Sequence, residues 1–316
     1  MSTEVTPGMF SLAEAKVSWK APWLMAFFAL VVFLGFGILG RAEPVVFTLS
    51  ADDSAINLPA IDAMSNSVGI TLGILLFAIT ALAFVWVLRK RPVPLWWSLV
   101  FGLIAVTALL GWLAAGDRVP VAFILGNAIV LAIPIMFGGM AGVMSERVGV
   151  VNIAIEGQML TGAFVAAVVG TLTGSLYVGL IAAMVAAALV STILAVFAVR
   201  YLVDQIIVGV VLNVLVIGVT NFLYSQWLTQ DSAGSNNPGT FDIIAIPFLS
   251  DIPILGPALF ENRVTVYVAF LFIPLLWFVL FRTRLGLRAR AVGEYPMAAD
   301  TMGVNVGRTR FWWVTL

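Results

Sequence analysis

A run of polar side chains between Ser145 and Gln158 interrupts an otherwise apolar chain. A charged side chain at bilayer depth costs at least ~2.5–3.5 kcal/mol, so it normally faces a cavity or a partner. The spacing of four residues between Asn152 and Glu156 predicts that both lie on one helical face. The run contains two carboxylates, a guanidinium and two side-chain amides: Glu146, Arg147, Asn152, Glu156 and Gln158.

Two interpretations of this run compete. Glu146 and Arg147 are typical of a short, solvated loop whose charges pair with each other. Asn152, Glu156 and Gln158 lie further in, and we expect them to line a path across the membrane. Glu156 has an alternative role, because an anion is favourable at the start of a helix.

Polar residues also interrupt the other apolar stretches, and Asn213 and Thr220 are spaced to share a helical face. Hydrogen bonds between membrane helices, at ~0.6 kcal/mol on average, explain such residues simply. Alternatively, they hydrogen-bond a neutral, polar solute, since no charges surround them. The residues are Asn127, Asn213, Thr220 and Asn221.

The composition places the chain in a membrane. Hydrophobic residues make up 62% of it and charged residues only 10%, and the mean hydropathy is +1.09. A soluble domain could not cover itself with so few charges. The formal net charge is zero, so nothing indicates a nucleic-acid partner.

Apolar stretches long enough to cross a bilayer, about 20 residues, recur along the chain. They cover 23–40, 68–88, 95–115, 121–141, 176–199, 206–224 and 264–281. A less apolar piece at 157–173 is interpreted as a spanning or partly re-entrant helix. Arg41–Pro44, after the first stretch, matches a signal-peptide cleavage site poorly. The sequence therefore predicts an all-α, polytopic bundle of about eight spanning helices plus the start of another.

The distribution of cations predicts the orientation. With a cytoplasmic N-terminus, all of the 16 Lys and Arg residues fall inside except Arg41, Arg118 and Arg263. Cytoplasmic loops carry an excess of such residues, so this orientation is favoured over its inverse. We expect a multi-pass protein of the bacterial inner membrane.

The longest outer loop, roughly 225–263, is rich in turn-forming residues. Its apolar patches at 243–246 and 252–255 predict either a lid on the chain's own outer surface or a landing site for an extracellular binding protein. The last residues, Phe311–Leu316, look like the first turns of a further membrane helix. We therefore expect that this chain is a C-terminally truncated part of a longer protein.

Enzyme chemistry finds no support in the sequence. A nucleotide-binding P-loop needs Gly-x-x-x-x-Gly-Lys-[Ser/Thr], and none of Lys16, Lys20 and Lys90 lies in such a motif. The chain has no histidine and no cysteine, which removes the usual imidazole and thiolate metal ligands. We expect no metal or cofactor, and we expect ATP to be hydrolysed by another chain.

The run from Ser145 to Phe164, S-E-R-V-G-V-V-N-I-A-I-E-G-Q-M-L-T-G-A-F, resembles a signature of permeases from nucleoside-type ABC importers. These belong to a wider family that also serves ribose and other simple sugars. Members usually have Asn-Ile-Gly where this chain has Asn152-Ile153-Ala154. The cytoplasmic stretch 286–303 is similar to the family's coupling segment, which docks on the ATPase. The two motifs in this order are more specific than either alone.

The coupling stretch also has a physical interpretation as a short helix. Pro296 suits a first helical position, and Gly303 suits a left-handed stop. Arg282 and Arg284 are expected at anionic lipid headgroups. The resemblance assigns coupling to the ATPase to Arg288, Glu294, Pro296, Ala299 and Gly303.

The resemblance implies an organisation and a set of partners. Residues 1–120 form an N-terminal extension with three spanning helices, and 121–316 form the permease core, which includes the coupling segment 282–310. The partners are an ATP-binding subunit, a second permease subunit (identical or different), a periplasmic or lipid-anchored substrate-binding protein, and membrane lipid.

The function that follows is the translocation path of an ABC importer for a neutral polar solute, with nucleosides ahead of simple sugars. An ion-coupled secondary transporter remains an alternative, and Glu156 is its one serious candidate for ion coordination. A non-transporting scaffold is disfavoured, because the charged central run would then lower stability without a purpose.

Overall fold

The computed structural model describes residues 18–50, 56–229, 234 and 236–316. Within these parts of the chain, eight helices are long and apolar enough to cross a membrane. They are α1 (Lys20–Leu30, continued by π-helical Val31–Ile38), α2 (Ser65–Leu88), α3 (Leu95–Leu113), α4 (Val121–Glu146), α5 (Ile155–Thr173), α6 (Leu176–Ala195, continued by π-helical Val196–Arg200), α7 (Gln205–Leu223, continued by π-helical Tyr224–Leu228) and α8 (Val264–Arg282).

These helices confirm the predicted polytopic bundle, and each of the eight apolar stretches coincides with one of them. The less apolar stretch, 157–173, lies in α5, which is an uninterrupted helix of 19 residues. Large apolar side chains are exposed along all eight, as expected where lipid is the solvent. Three short helices follow α8: α9 (Arg284–Glu294), α10 (Pro296–Thr301) and α11 (Val306–Thr315).

The chain divides into two compact units, one comprising residues 1–124 with 251–254 and the other 125–250 with 255–316. The described part of the first unit contains α1, α2 and α3 and a small sheet. In this sheet β1 (Pro44–Thr48) pairs antiparallel with β2 (Ile61–Met64) and parallel with β3 (Arg118–Pro120). These three strands were not predicted from the sequence.

The second unit contains most of α4, the helices α5 to α11 and a hairpin of β4 (Ile243–Ala245) and β5 (Glu261–Arg263). Its main apolar core joins the segment between α4 and α5 to helices from both ends of the unit. Val148 and Ala289 are fully buried in this core, together with Val150, Ala154, Leu194, Ala195, Val208, Leu212 and Val314.

Side chains placed just before several helices fix where those helices begin. Asp204 accepts hydrogen bonds from the backbone amides of Ile206 and Ile207 at the start of α7. Thr283 and Asn305 cap α9 and α11 in the same way. Such caps satisfy amides that have no partner inside the helix. Helix α5 has no cap from its own preceding residue, Ala154.

Candidate functional site

The segment that joins α4 to α5, residues 147–154, is not a regular helix. Two side chains of α7 bind its backbone. Gln205 Oε1 accepts from the Val151 amide at 2.9 Å, and Asn213 Nδ2 donates to the Ile153 carbonyl at 2.8 Å. At 1.5 Å rise per residue, Asn213 lies roughly 12 Å along α7 from Gln205. The connection, residues 147–154, therefore runs alongside α7 before α5 begins.

Asn213 also supplies the cap that α5 lacks. Its Oδ1 accepts from the Gly157 amide at 2.8 Å. Gly157 is the third residue of α5, whose amide an ordinary N-cap side chain would bind. A Cβ on Gly157 would lie 2.9 Å from Asn213 Oδ1, so only glycine allows this approach without a shift. Helix α5 is thus capped by a side chain of another helix, through a part-buried hydrogen bond.

Asn152 and Gln158 are both buried, and their side-chain amides bind each other. Asn152 Nδ2 donates to Gln158 Oε1 at 3.2 Å, and Asn152 Oδ1 accepts from the Ala154 amide at 3.0 Å. Asn152 precedes α5 and is not on it, so the prediction that Asn152 and Glu156 share a helical face is wrong. This bond to the Ala154 amide lies directly before the start of α5 at Ile155.

Glu156 lies in the first turn of α5 and its side chain is exposed. Asn127 on α4 and Asn221 on α7 are exposed too, and no hydrogen bond to either side chain is found in the described part of the chain. Thr220 bonds the Val216 carbonyl of its own helix at 2.7 Å. The structure brings Asn152, Gln158 and Asn213 together beside Glu156, and Asn127 and Asn221 do not join that group.

The other side of the connection contacts the predicted coupling segment. A Cβ on Gly293, near the end of α9, would lie 2.3 Å from the Arg147 carbonyl oxygen. Arg310 of α11 donates from Nε to the Val148 carbonyl at 3.0 Å. The two motifs that the sequence analysis singled out are therefore in direct backbone contact across about 145 residues of chain.

The coupling segment has the predicted local structure. Pro296 opens α10 at its first position, and Gly303 follows that helix with a φ of +81°. Ala299 is buried, whereas Arg288 and Glu294 are exposed. Helices α9 and α11 flank α10 on either side, so the short helix is held at both ends. Its outer surface carries Met297 and Met302, which are exposed by 73% and 84%.

Sequence reasoning did not find Gln205, Gly293 and Arg310. Gln205 follows a helix-capping Asp204 and reads as an ordinary helix start, and arginines such as Arg310 are common near membrane surfaces. Gly293 matters only because another segment's backbone passes it. No local signal identifies these three residues, because each acts through a contact made far along the chain.

Residues 124–316 match the model of a family described as the permease component of the branched-chain amino acid transport system. The chain belongs to this permease family. It is a multi-pass membrane protein, and the family is one of transport subunits rather than enzymes.

Three relatives align with the chain. The guanosine ABC transporter permease NupQ of Bacillus subtilis is 40% identical over 58% of this chain and 59% of its own length. The nucleoside ABC transporter permease NupC of Lactococcus lactis is 35% identical over 58% and 59%. TsgC13 of Haloferax volcanii, provisionally a glucose ABC transporter permease, is 35% identical over 60% and 56%. The aligned part is thus less than two thirds of each relative. No solved structure gives a significant match.

Proposed function

We propose that the chain is part of the permease subunit of an ABC importer whose solute is a nucleoside. The observation that carries the proposal is the backbone contact between the Gly293 region and the Arg147–Val148 segment. It joins the coupling segment to the polar connection between two spanning helices, as is required of a subunit that is driven by a separate ATPase. Two relatives named for guanosine and nucleoside transport favour this solute class.

In this proposal, residues 1–120 are an N-terminal extension and 121–316 are the permease core. The N-terminus is cytoplasmic and the membrane is the bacterial inner membrane, since the cations then lie inside. The coupling segment 282–310 consequently faces the cytoplasm, and the hairpin of β4 and β5 lies on the outer side.

The partners are inferred from the lack of a P-loop in the sequence and from the exposed surface of the coupling segment. An ATP-binding subunit contacts α10, with Arg288, Glu294, Pro296 and Gly303 at the contact and the buried Ala299 supporting it from behind. A second permease subunit completes the path. A substrate-binding protein delivers the solute at the outer loop, roughly 225–263.

The solute path uses the predicted polar residues in two different ways. Glu156, Asn127 and Asn221 have free, exposed side chains that can contact a passing solute. A carboxylate in a spanning helix faces water or a partner rather than lipid, so Glu156 marks the path. Asn152, Gln158 and Asn213 shape the wall behind it, because their polar groups already bind one another or the backbone.

The test is uptake in the host organism. The gene is deleted with its neighbours intact, and initial uptake of labelled uridine, adenosine and ribose is measured. We expect loss of nucleoside uptake, restored by the full-length gene but not by its Glu156→Gln variant. Loss of ribose uptake alone would move the solute to sugars, which the relative TsgC13 makes the second candidate.

A further experiment separates the importer from an ion-coupled transporter. Membrane vesicles that carry the complete system are given ATP, or a proton or sodium gradient without ATP. We expect accumulation with ATP alone. Accumulation driven by an ion gradient in the absence of ATP would refute the ABC assignment and move attention to Glu156 as an ion ligand.

A further inference from the structure

We propose that Gln205 and Asn213 are positioning residues that carry movement of the coupling segment to α7, and that neither contacts the solute. The inference rests on the proposed function, because it needs an external motor acting on α10. It assigns Asn213, a polar side chain inside a membrane helix, a mechanical role.

The connection is firmly attached to α7. Three hydrogen bonds from two side chains hold Val151, Ile153 and Gly157 to this helix. The attachment is also close: a Cβ on Gly209 of α7 would lie 2.9 Å from Ile153 Cβ. The two bonds of Asn213 are part-buried, so breaking them would leave the Gly157 amide and the Ile153 carbonyl with few alternative partners. The connection and α7 must therefore move together or exchange bonds together.

The same connection is also attached to the coupling segment. Gly293 lies against the Arg147 carbonyl, and Arg310 binds the Val148 carbonyl. Residues 147–157 are thus held by α9 and α11 at one end and by α7 at the other. A displacement of α10 reaches α7 through this short stretch of backbone, with no long-range pathway required.

The connection has space beside it in which to move. A pocket of about 260 Å³ lies beside the attachment and is lined by Gly149, Asp204, Gln205 and Arg310, among others. The connection therefore has open space next to it. Packed interfaces usually shift between discrete arrangements, and a neighbouring cavity lets the connection adopt a second one.

The test uses single-cysteine fluorescent reporters in an otherwise cysteine-free version of the complete importer. One reporter replaces exposed Met302 in the coupling segment, and the other replaces exposed Leu215 on α7. Each is recorded on addition of ATP with vanadate, in the parent and in Asn213→Leu. We expect both reporters to respond in the parent. In Asn213→Leu the Met302 reporter keeps its response, and the Leu215 reporter loses at least four fifths of its change.

Uptake kinetics give a second, independent reading. Asn213→Leu should lower the maximal uptake rate at least tenfold with KM within twofold of the parent, since the solute is not contacted. Gln205→Leu should act in the same direction. Gln205→Glu, unlike Gln205→Leu, should retain coupling, because glutamate keeps the acceptor oxygen and an anion is favourable at the start of α7. Thr192→Val is the matched control, because among the described residues Thr192 bonds only the Ala188 carbonyl of its own helix.

Three results would overturn the inference: normal maximal uptake in both Leu variants, a rise in KM alone, or an equal loss of both reporter signals. If Asn213→Leu does not assemble, the comparison of Gln205→Leu with Gln205→Glu decides whether these side chains carry movement to α7. The reporter measurement needs no solute, so a wrong solute class leaves it valid. A parent that responds at neither reporter would refute the proposed function, and this inference with it.

Discussion

Connections in the two units satisfy their backbone in different ways, although the second unit also has one strand pair, β4 with β5. In the N-terminal unit, the segments that enter α2 and α4 form strands, and β1 pairs with both β2 and β3 by main-chain hydrogen bonds. In the second unit, the segment that enters α5 pairs with no strand. Its amides and carbonyls bind side chains of α7 and α11 instead.

The difference indicates which unit is built to move. A sheet ladder is lost only when several main-chain bonds break together, so it holds its helices in one arrangement. A segment held by three side chains has fewer bonds to exchange, so it can change its arrangement together with the helix that holds it. The helix contacts of the N-terminal unit are likewise close: Gly69 and Gly73 of α2 lie against the Phe33–Gly37 backbone of the first span. We infer that this unit is static and that the second unit changes shape.

The largest effect is expected from Gly293→Ala. The new Cβ would lie 2.3 Å from the Arg147 carbonyl oxygen and 3.0 Å from its carbon, and neither is the end of a flexible side chain. Helix α9 must therefore shift, at a cost of about 3 kcal/mol. We expect uptake to fall at least tenfold and the melting temperature of the purified protein to drop.

Gly307→Ala is the matched control for this substitution. Gly307 lies in α11, and its nearest neighbour beyond a Cβ is Asn305 Oδ1 at 3.8 Å, an ordinary contact. Alanine also favours helix over glycine by about 1 kcal/mol. Full uptake by Gly293→Ala, with Gly307→Ala unchanged, would show that the two motifs do not touch in the working protein.

A second substitution separates stability from transport in the N-terminal unit. In Gly69→Ala the new Cβ would lie 2.5 Å from the Phe36 carbonyl carbon. Overpacking of this kind costs about 1–3 kcal/mol, measurable as a lower melting temperature in detergent. Because this unit is static in our interpretation, uptake per folded molecule should stay within twofold of the parent.

Gly102→Ala in α3 is its control, since nothing lies within 4 Å of a Cβ there. Transport lost in Gly69→Ala without a loss of stability would contradict the comparison of the two units. It would mean that the N-terminal helices take part in the cycle.

A smaller effect is expected from Gly209→Ala on α7. Its Cβ would meet Ile153 Cβ at 2.9 Å and the Ala154 amide at 3.2 Å. These atoms are fixed by the backbone, so α7 must shift slightly, but the overlap is smaller than at Gly293; we expect about 1 kcal/mol of destabilisation and a two- to fivefold loss of uptake. Gly218→Ala lies on the same helix with nothing within 4 Å, and it should behave as the parent. Equal behaviour of the two variants would argue against close packing of α7 on the connection.

The spanning helices and the coupling helix could be predicted from sequence because their signals are local. Apolar length marks a spanning helix, and the positions of Pro296 and Gly303 mark the ends of a short one. The strands of the N-terminal unit were missed. Each is short, and β3 pairs with β1 across roughly 70 residues, so no single stretch carries the signal.

The site was predicted in composition but not in arrangement. The cost of polar groups in a membrane drew attention to Asn152, Gln158 and Asn213, and their role in a solute path stays a prediction. Asn152 and Gln158 bind each other, and Asn152 and Asn213 bind backbone groups around a segment that was predicted to be helical. The capping of α5 by Asn213 joins residues 56 apart, and a hydrogen bond at that separation leaves no periodic trace.

The smallest effect is expected from Phe281→Leu, which tests a contact at the edge of the coupling segment. The guanidinium carbons of Arg147 and Arg290 lie 5.7 and 5.2 Å from the centre of the Phe281 ring. Nε of Arg290 is buried without a hydrogen-bond partner in the described residues. The ring is part exposed, so the two cation–π contacts together are worth about 1 kcal/mol.

Leucine keeps the apolar volume of residue 281 but has no ring face, so both cations lose their attraction. We expect a melting temperature a few degrees lower and uptake reduced by less than threefold. Phe278→Leu on the same helix is the control, because Phe278 has no aromatic or cationic ring contact with any described residue and is 53% exposed. If the two variants melt at the same temperature, the arginines do not use the ring. The attachment of the coupling segment to residues 147–148 would then rest on Gly293 of α9 and Arg310 of α11.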